Sequence, residues 1–137
     1  MIDETDIRIL SILSENGRMQ WREVGELVHL SGQAVGNRIR RMEEMGIIEG
    51  FTVRVNPDRL GRAVTAYITV FMKNTDHQGF RRFIAEREMV KEAEQISGEG
   101  CYMLKVSTSG QEELLHFLGE VLRYGNYRVN LSIARLK

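Results

Sequence analysis

Hydrophobic residues in the first 45 positions recur every three or four residues, which is the period of an amphipathic helix. The pattern predicts three helices, and Ser31 is placed to cap the first turn of the third. Only about three residues separate the second helix from the third, which leaves room for nothing but a sharp crossing. The predicted inward positions are Ile7, Leu10 and Leu13, then Val24, Leu27 and Val28, then Val35, Ile39 and Met42.

The predicted helix ends carry capping signals of their own. Asp3 is a candidate N-cap for the first helix, and Gly17 can supply a left-handed residue where that helix stops. Gly46 is a candidate stop for the third helix. Gly25 adds no side chain to the second helix, so a neighbouring segment could approach it closely.

The outward side of the third helix is polar and basic. At about 100° per residue, the far side from the apolar stripe carries amide and guanidinium groups, and no acidic residue interrupts the helix between Ser31 and Met42. Amides can pair with an adenine edge, while arginine can grip guanine or hold phosphate. With the preceding helix, this pattern indicates a DNA-reading helix-turn-helix, although taken alone it also fits an ordinary solvated face. The predicted DNA-binding residues are Ser31, Gln33, Asn37, Arg38, Arg40 and Arg41, and Asn37 and Arg41 are expected to contact DNA.

After the third helix the period changes from helical to alternating. Phe51, Val53 and Val55 alternate with polar residues, which predicts a wing or hinge strand. A turn at Asn56-Pro57-Asp58 holds the only proline and leads into a connector. The predicted organisation is a DNA-binding domain over 1–50, a hinge strand and linker over 51–62, and a second domain over 63–137.

The second half alternates short apolar runs with helical spacing. The order is strand, helix, strand, strand, helix, strand, over 64–73, 79–87, 90–96, 101–108, 111–122 and 129–136. This is the ferredoxin-like βαββαβ order, with both helices on one face of an antiparallel sheet. The predicted fold class is therefore α+β, a three-helix winged helix-turn-helix domain followed by a ferredoxin-like domain.

The first strand of that sheet predicts self-association. Ala66, Ile68 and Val70 share one face, but Tyr67 and Phe71 make the other face less polar than a solvated sheet should be. Two helices can cover only one side of the sheet. A symmetric partner sheet is the natural cover for the other side, although the two aromatic side chains could also be tolerated at the surface of a monomer.

Composition limits the function classes further. Nineteen basic and nineteen acidic residues give zero net charge, so DNA binding has to rest on local clustering and on pairing several recognition helices. No run of about 18 apolar residues predicts a membrane span, and a single cysteine fits a reducing cytoplasm. His29, His77 and His116 lack metal-ligand spacing, and no catalytic motif accompanies Cys101. We expect no enzyme activity, no cofactor and no metal.

The segment over residues 2–61 contains a set of characteristic positions, namely Asp6, Leu10, Leu13, Gly17-Arg18, Leu30-Ser31, Val35, Arg38-Ile39, Met42-Glu43, Gly46-Ile47-Ile48 and Leu60-Gly61. In these positions it resembles the amino-terminal half of the leucine-responsive/asparagine-operon regulators, the feast/famine transcription factors of bacteria and archaea. His29 stands where that family usually has the turn glycine, and Gln20 where it has a capping Ser or Thr. The resemblance continues over nearly the whole chain, and it implies dimers that often assemble into octamers.

The resemblance also implies that the second domain senses small molecules, typically amino acids. The family's Gly-x-x-Asp-Tyr type loop corresponds to Gly98, Glu99, Gly100, Cys101 and Tyr102. Cys101 replaces the carboxylate that would receive an ammonium group, unless Glu99 substitutes for it. We therefore expect common amino acids to bind weakly or not at all, and the effector to be absent or less cationic.

The predicted function is a cytoplasmic, sequence-specific transcriptional regulator that binds double-stranded DNA as a homo-oligomer. Two other non-enzymatic functions remain open at this point. One is an architectural protein that bends DNA with little sequence preference, and the other is an effector-binding module with a vestigial DNA-binding domain.

Overall fold

The computed structural model describes all residues from 1 to 137. Contacts divide the chain into two compact units, Met1–Arg54 and Val55–Lys137. The division falls inside the segment 51–62, which the sequence assigns to a hinge and linker. None of the helices has the length and apolar character that crossing a bilayer requires.

The first unit consists of helices α1 (Glu4–Glu15), α2 (Trp21–Val28) and α3 (Gly32–Glu44). Asp3 and Asp6 form a reciprocal capping box at the start of α1. The Ser31 hydroxyl accepts a hydrogen bond from the Ala34 amide at the start of α3. The predicted N-caps of both helices are confirmed.

The core of the first unit differs from the predicted one in two places. Ile7 is 60% exposed and Leu27 is 48% exposed, so their predicted inward positions are wrong. Helix α1 instead turns Asp6 and Ile9 inward, because the Asp6 carboxylate has partners on α3. The fully or largely buried apolar residues are Ile9, Val24, Val28, Val35, Ile39 and Met42.

The turn between α2 and α3 depends on a close backbone approach. His29 adopts the left-handed conformation at φ 60° and ends α2, and the Leu30 amide donates to the Gly25 carbonyl. A Cβ atom at Gly25 would overlap the Leu30 carbonyl oxygen, which confirms the close approach predicted there. The predicted left-handed stop at Gly17 is wrong, since α1 ends at Asn16 in an extended conformation.

The predicted strand over Phe51–Val55 does not form. Phe51, Val53 and Val55 are exposed, and this segment pairs with no other strand. Alternation alone cannot make a strand without a partner edge. A short 3-10 helix, Pro57–Leu60, follows this segment.

The second unit is a four-stranded antiparallel sheet with two helices. Its elements are β1 (Val64–Met72), α4 (His77–Ala85), β2 (Val90–Gln95), β3 (Tyr102–Thr108), α5 (Gln111–Val121) and β4 (Gly125–Leu131), with strand order β2-β3-β1-β4. The predicted α+β class and βαββαβ order are confirmed. The last strand starts earlier than predicted and ends at Leu131, because its pairing with β1 runs from Gly125 opposite Met72 to Leu131 opposite Ala66.

The two helices cover only one face of the sheet, as predicted. Ala66, Ile68 and Val70 of β1 are fully buried among aromatic and aliphatic side chains of α4 and α5. On the other face Tyr67 is 41% exposed and Met103 of β3 is 37% exposed. That outer face carries apolar side chains that the two helices leave exposed.

Candidate nucleic-acid interface

The exposed side of α3 is fixed by the burial of its opposite side. Val35, Ile39 and Met42 are essentially inaccessible, which turns Gln33, Asn37 and Arg40 outward. Their exposure agrees with the predicted face. The first two-thirds of α3 offers hydrogen-bond donors and acceptors on a rigid helix, which suits recognition of base edges.

Two of these side chains are joined to each other. The Arg40 guanidinium donates to Asn37 Oδ1 at 2.7 Å. The same guanidinium lies over the Trp21 ring, with Cζ 5.4 Å from the ring centroid. Trp21 was not among the predicted site residues, because the apolar periodicity does not indicate that an aromatic ring at the start of α2 reaches α3.

Arg38 and Arg41 form ion pairs with two acidic residues at the start of the chain. Arg41 donates to the fully buried Asp6 carboxylate at 2.6 Å. Arg38 binds the same carboxylate at 3.0 Å and Asp3 at 2.7 Å. Both guanidinium groups of these predicted DNA-binding residues therefore have acidic partners within the chain. Two carboxylates balance two guanidinium groups, so this acid–arginine cluster, defined as Asp3, Asp6, Arg38 and Arg41, carries no net charge toward a polyanion.

The cluster lowers the pKa of its exposed acid. The hydrogen bond from Arg38 and, after it, the backbone hydrogen bond from Asp6 lower the pKa of Asp3 from 3.8 to about 2. The hydrogen bonds to Asp3 and Asp6 also raise the pKa of Arg38. Asp3 and Arg38 are therefore both charged in the folded unit at every physiological pH.

Acidification is expected to weaken the first unit through Asp3. A carboxyl group whose pKa is lowered by folding stabilises the fold above its unfolded pKa, and this contribution is lost as the pH falls from about 4 to about 2. Asp3→Asn keeps an N-cap acceptor but removes the titration. We expect its melting temperature to fall less than that of the parent over this range, measured by the emission of the single tryptophan. An equal fall in both proteins would contradict the role of Asp3.

Ser31 acts first as a helix cap. Its hydroxyl oxygen is engaged by the Ala34 amide, and its side chain lies at the exposed start of α3. The hydroxyl hydrogen is free to donate outward, so the predicted contact of Ser31 with DNA stays a prediction. The contacts of Gln33, Asn37 and Arg40 with DNA also stay predictions.

The predicted effector loop lies between β2 and β3. Gly98 and Gly100 adopt positive φ angles of 84° and 92°, which only glycine adopts without strain. The Gly100 backbone lies against Thr69 and Phe71, on the outer face of the sheet. The Cys101 amide donates to the Val70 carbonyl at 2.8 Å. The loop is thus fastened across the end of β1.

The side chains of this loop do not converge on one point. Glu99 extends into solvent, with its nearest guanidinium, that of Arg128, at 3.8 Å. Cys101 packs against the core of the second unit. Tyr102 is buried, and its hydroxyl lies 2.7 Å from His77 Nδ1. A single chain therefore supplies parts of an effector site rather than a closed one.

Sequence comparison supplies the family. A model of the AsnC-type helix-turn-helix domain matches residues 2–43, and a model of the Lrp/AsnC ligand binding domain matches residues 65–137. The chain belongs to the Lrp/AsnC family. Its resemblance to the feast/famine regulators is thereby confirmed, and so is its predicted function as a helix-turn-helix transcriptional regulator rather than an enzyme.

Two curated relatives come from Bacillus subtilis. The chain is 45% identical to the transcriptional regulator LrpB, over 99% of this chain and 91% of that protein. It is 34% identical to LrpA, over 98% of this chain and all of that protein. Both relatives are named as HTH-type transcriptional regulators, and both align with nearly the whole of this Lrp/AsnC chain.

Two solved Lrp/AsnC structures match the fold of the whole chain. The structure of Bacillus subtilis LrpC superposes with a TM-score of 0.95 at 27% identity, covering all of this chain and 98% of that one. A transcriptional regulator of Neisseria meningitidis, solved as a complex with L-Met, superposes with a TM-score of 0.92 at 25% identity, covering all of this chain and 93% of that one.

Proposed function

We propose that this Lrp/AsnC protein reads operator DNA with the exposed side of α3, and that Gln33, Asn37 and Arg40 contact base edges in the major groove. The observation that carries this proposal is the exposure of these three side chains on a helix whose other side is completely buried. Ser31 adds a contact from its free hydroxyl hydrogen. An architectural protein would not need such a built polar face.

Arg38 and Arg41 have a different proposed role. Their partly exposed guanidinium groups, with 27% and 46% of the side chain accessible, retain donors that can reach phosphate while Asp6 holds them. Phosphate contacts position a protein without specifying sequence. In this proposal the acid–arginine cluster sets the register of α3 on the duplex, and Asn37 and Arg40 supply the sequence preference.

We propose that the regulator works as a homodimer or larger assembly formed through the outer face of its sheet. Tyr67, Phe71 and Met103 form the apolar centre of that face, and a second copy would cover it. A dimer also presents two α3 helices, which compensates for a chain of zero net charge. A DNA-bound regulator of this kind would reside in the cytoplasm.

The effector is proposed to differ from a common amino acid. The relative from Neisseria meningitidis binds L-Met, but the present loop has Cys101 where the family motif has a carboxylate. Glu99 is the only acid of the loop, and its carboxylate extends toward Arg128. Gly98, Gly100 and Tyr102 would shape the site, while an ammonium group lacks a partner. Absence of an effector, or a less cationic one, follows from this arrangement.

Asn37→Ala and Arg40→Ala are each expected to weaken operator binding by about 1 to 3 kcal/mol while leaving folding intact, because each removes an exposed base contact. Fluorescence anisotropy with an operator duplex, obtained by selection with the parent protein, measures this loss. Arg82→Ala is the matched control, since Arg82 is an exposed helical arginine in the other unit. Parent-like affinity in both α3 variants would contradict the assigned face.

A further inference from the structure

Trp21, the first residue of α2, makes a close contact with α3. The ring of this single tryptophan lies against the α3 backbone at Gly36, where a Cβ atom would overlap ring atoms Cε3 and Cζ3. Gly36 is buried, yet Trp21 itself remains 41% exposed. The absence of a side chain at Gly36 therefore lets the ring pack on the α3 backbone. The other side of the ring is exposed, next to the residues of the proposed interface.

The ring supports Arg40, and Arg40 in turn orients Asn37. The Arg40 Cζ lies 5.4 Å from the ring centroid, within the range of a cation–π contact. One guanidinium nitrogen donates to Asn37 Oδ1 at 2.7 Å. Arginine has donors only, so the Asn37 atom that faces it has to be the carbonyl oxygen. The Asn37 amino group is then left to point away from Arg40.

This arrangement changes which base the pair can recognise. A free asparagine pairs with adenine by donating to N7 and accepting from the N6 amino group, which requires its carbonyl oxygen. In the observed arrangement one of the two acceptor positions of that oxygen is taken by Arg40. Asn37 and Arg40 then offer several N–H donors but only one remaining acceptor position, and guanine is the base whose major-groove edge offers two acceptors, N7 and O6.

We infer that Trp21 is a positioning residue that holds Arg40 and Asn37 as a donor-rich pair, and that this pair selects guanine over adenine. The inference rests on the proposed function, because it assumes that α3 enters the major groove. Its structural basis is the chain of contacts from Gly36 through Trp21 and Arg40 to Asn37. A stacked guanidinium loses less side-chain freedom on binding than an unsupported one, so the ring also favours tight binding.

Selection of random duplexes by the full-length protein tests the inference, with Gly36→Ala as the decisive variant. The added methyl group displaces the ring without removing a polar group. We expect the parent to enrich guanine at the contacted position, and Gly36→Ala to lose about tenfold in its preference for guanine over adenine there. Its affinity for bulk DNA should stay within about twofold, because no charge is lost. In the absence of DNA, the tryptophan emission of Gly36→Ala should shift to the red, because the displaced ring becomes more exposed to water.

Three further proteins separate local positioning from general damage. Gly119→Ala is the matched control, since a Cβ atom at this glycine of α5 meets nothing within 4 Å. Trp21→Phe keeps an aromatic ring on Gly36 with a weaker cation–π contact, and should lose part of the preference for guanine. This variant tests the inference even if Gly36→Ala does not fold. Arg40→Lys keeps the charge but not the planar fork, and should lose the preference with an unchanged salt dependence of binding.

The outcomes distinguish this inference from the function on which it rests. A parent protein that enriches no sequence would overturn the proposed function, and the inference with it. A parent that enriches a sequence which Gly36→Ala and Trp21→Phe select equally well would overturn only the inference. Enrichment of adenine at the base position whose preference disappears in Asn37→Ala would also overturn it, because Asn37 Oδ1 would then serve the adenine N6 amino group despite its bond to Arg40.

Discussion

Asp6→Ala is expected to lower the free energy of unfolding of the first unit by about 3 kcal/mol. The carboxylate of Asp6 is completely buried and accepts hydrogen bonds from Arg38, Arg41 and the Asp3 amide. Its removal leaves the two guanidinium groups beside an apolar methyl group and opens the capping box of α1. Urea denaturation followed by the emission of Trp21 measures the loss, because the only tryptophan lies in this unit.

The control for this prediction is an aspartate without such partners. Asp58 is exposed, and no ion pair or side-chain hydrogen bond holds its carboxylate. Asp58→Ala should change the free energy of unfolding by no more than about 0.5 kcal/mol. A loss below about 1 kcal/mol in Asp6→Ala would mean that the acid–arginine cluster contributes little to the stability of the fold.

Gly25→Ala is expected to destabilise the first unit by about 3 kcal/mol, and to abolish specific DNA binding at a temperature where the parent still binds. The new Cβ atom would overlap the carbonyl group of Leu30 and approach the backbone of Ser31, so the turn between α2 and α3 has to open. Backbone atoms cannot move aside as a flexible side chain can. The same denaturation experiment, combined with anisotropy, measures both effects.

Gly119→Ala separates steric overlap from the general effect of replacing a helical glycine. The position is open, and alanine favours the helix, so this variant should be neutral or more stable by about 0.5 to 1 kcal/mol. If Gly25→Ala were as stable as Gly119→Ala, the close approach at the α2–α3 turn would not be a constraint on the fold.

Local features of the helix-turn-helix could be predicted because they depend on neighbouring residues. The caps at Asp3 and Ser31 and the close approach at Gly25 follow from short-range chemistry, and the structure confirms all three. The buried stripe of α3 was predictable for the same reason, since its period is that of the helix itself.

Features that depend on distant partners could not be predicted from the pattern. Asp6 meets Arg38 and Arg41 across 32 and 35 residues of sequence, and only the packing of α1 on α3 brings them together. The same packing turns Ile7 outward, although its spacing fits an inward stripe. Periodicity fixes which residues share a face of a helix, but tertiary contacts decide which face is buried.

The sequence predicted which residue types make up the candidate site, but not which of them have partners within the chain. Arg40 and Arg41 look equivalent in sequence, yet one lies over Trp21 and the other binds a buried acid. In the second unit, Tyr102 was expected at an effector site, but its hydroxyl is bonded to His77. Hydrogen-bond partners across the chain decide which side chains of a predicted site are available to a ligand.

The most direct test of DNA reading by α3 is site-specific photo-crosslinking from position 33 in the full-length protein. Gln33 is exposed in the first turn of α3, and a photoreactive residue there should crosslink to bases of the operator duplex. The same residue at Leu115, which is 57% exposed on α5, serves as the control and should give no crosslink. Crosslinks from position 115 but none from position 33, under conditions where the operator is bound, would contradict the account.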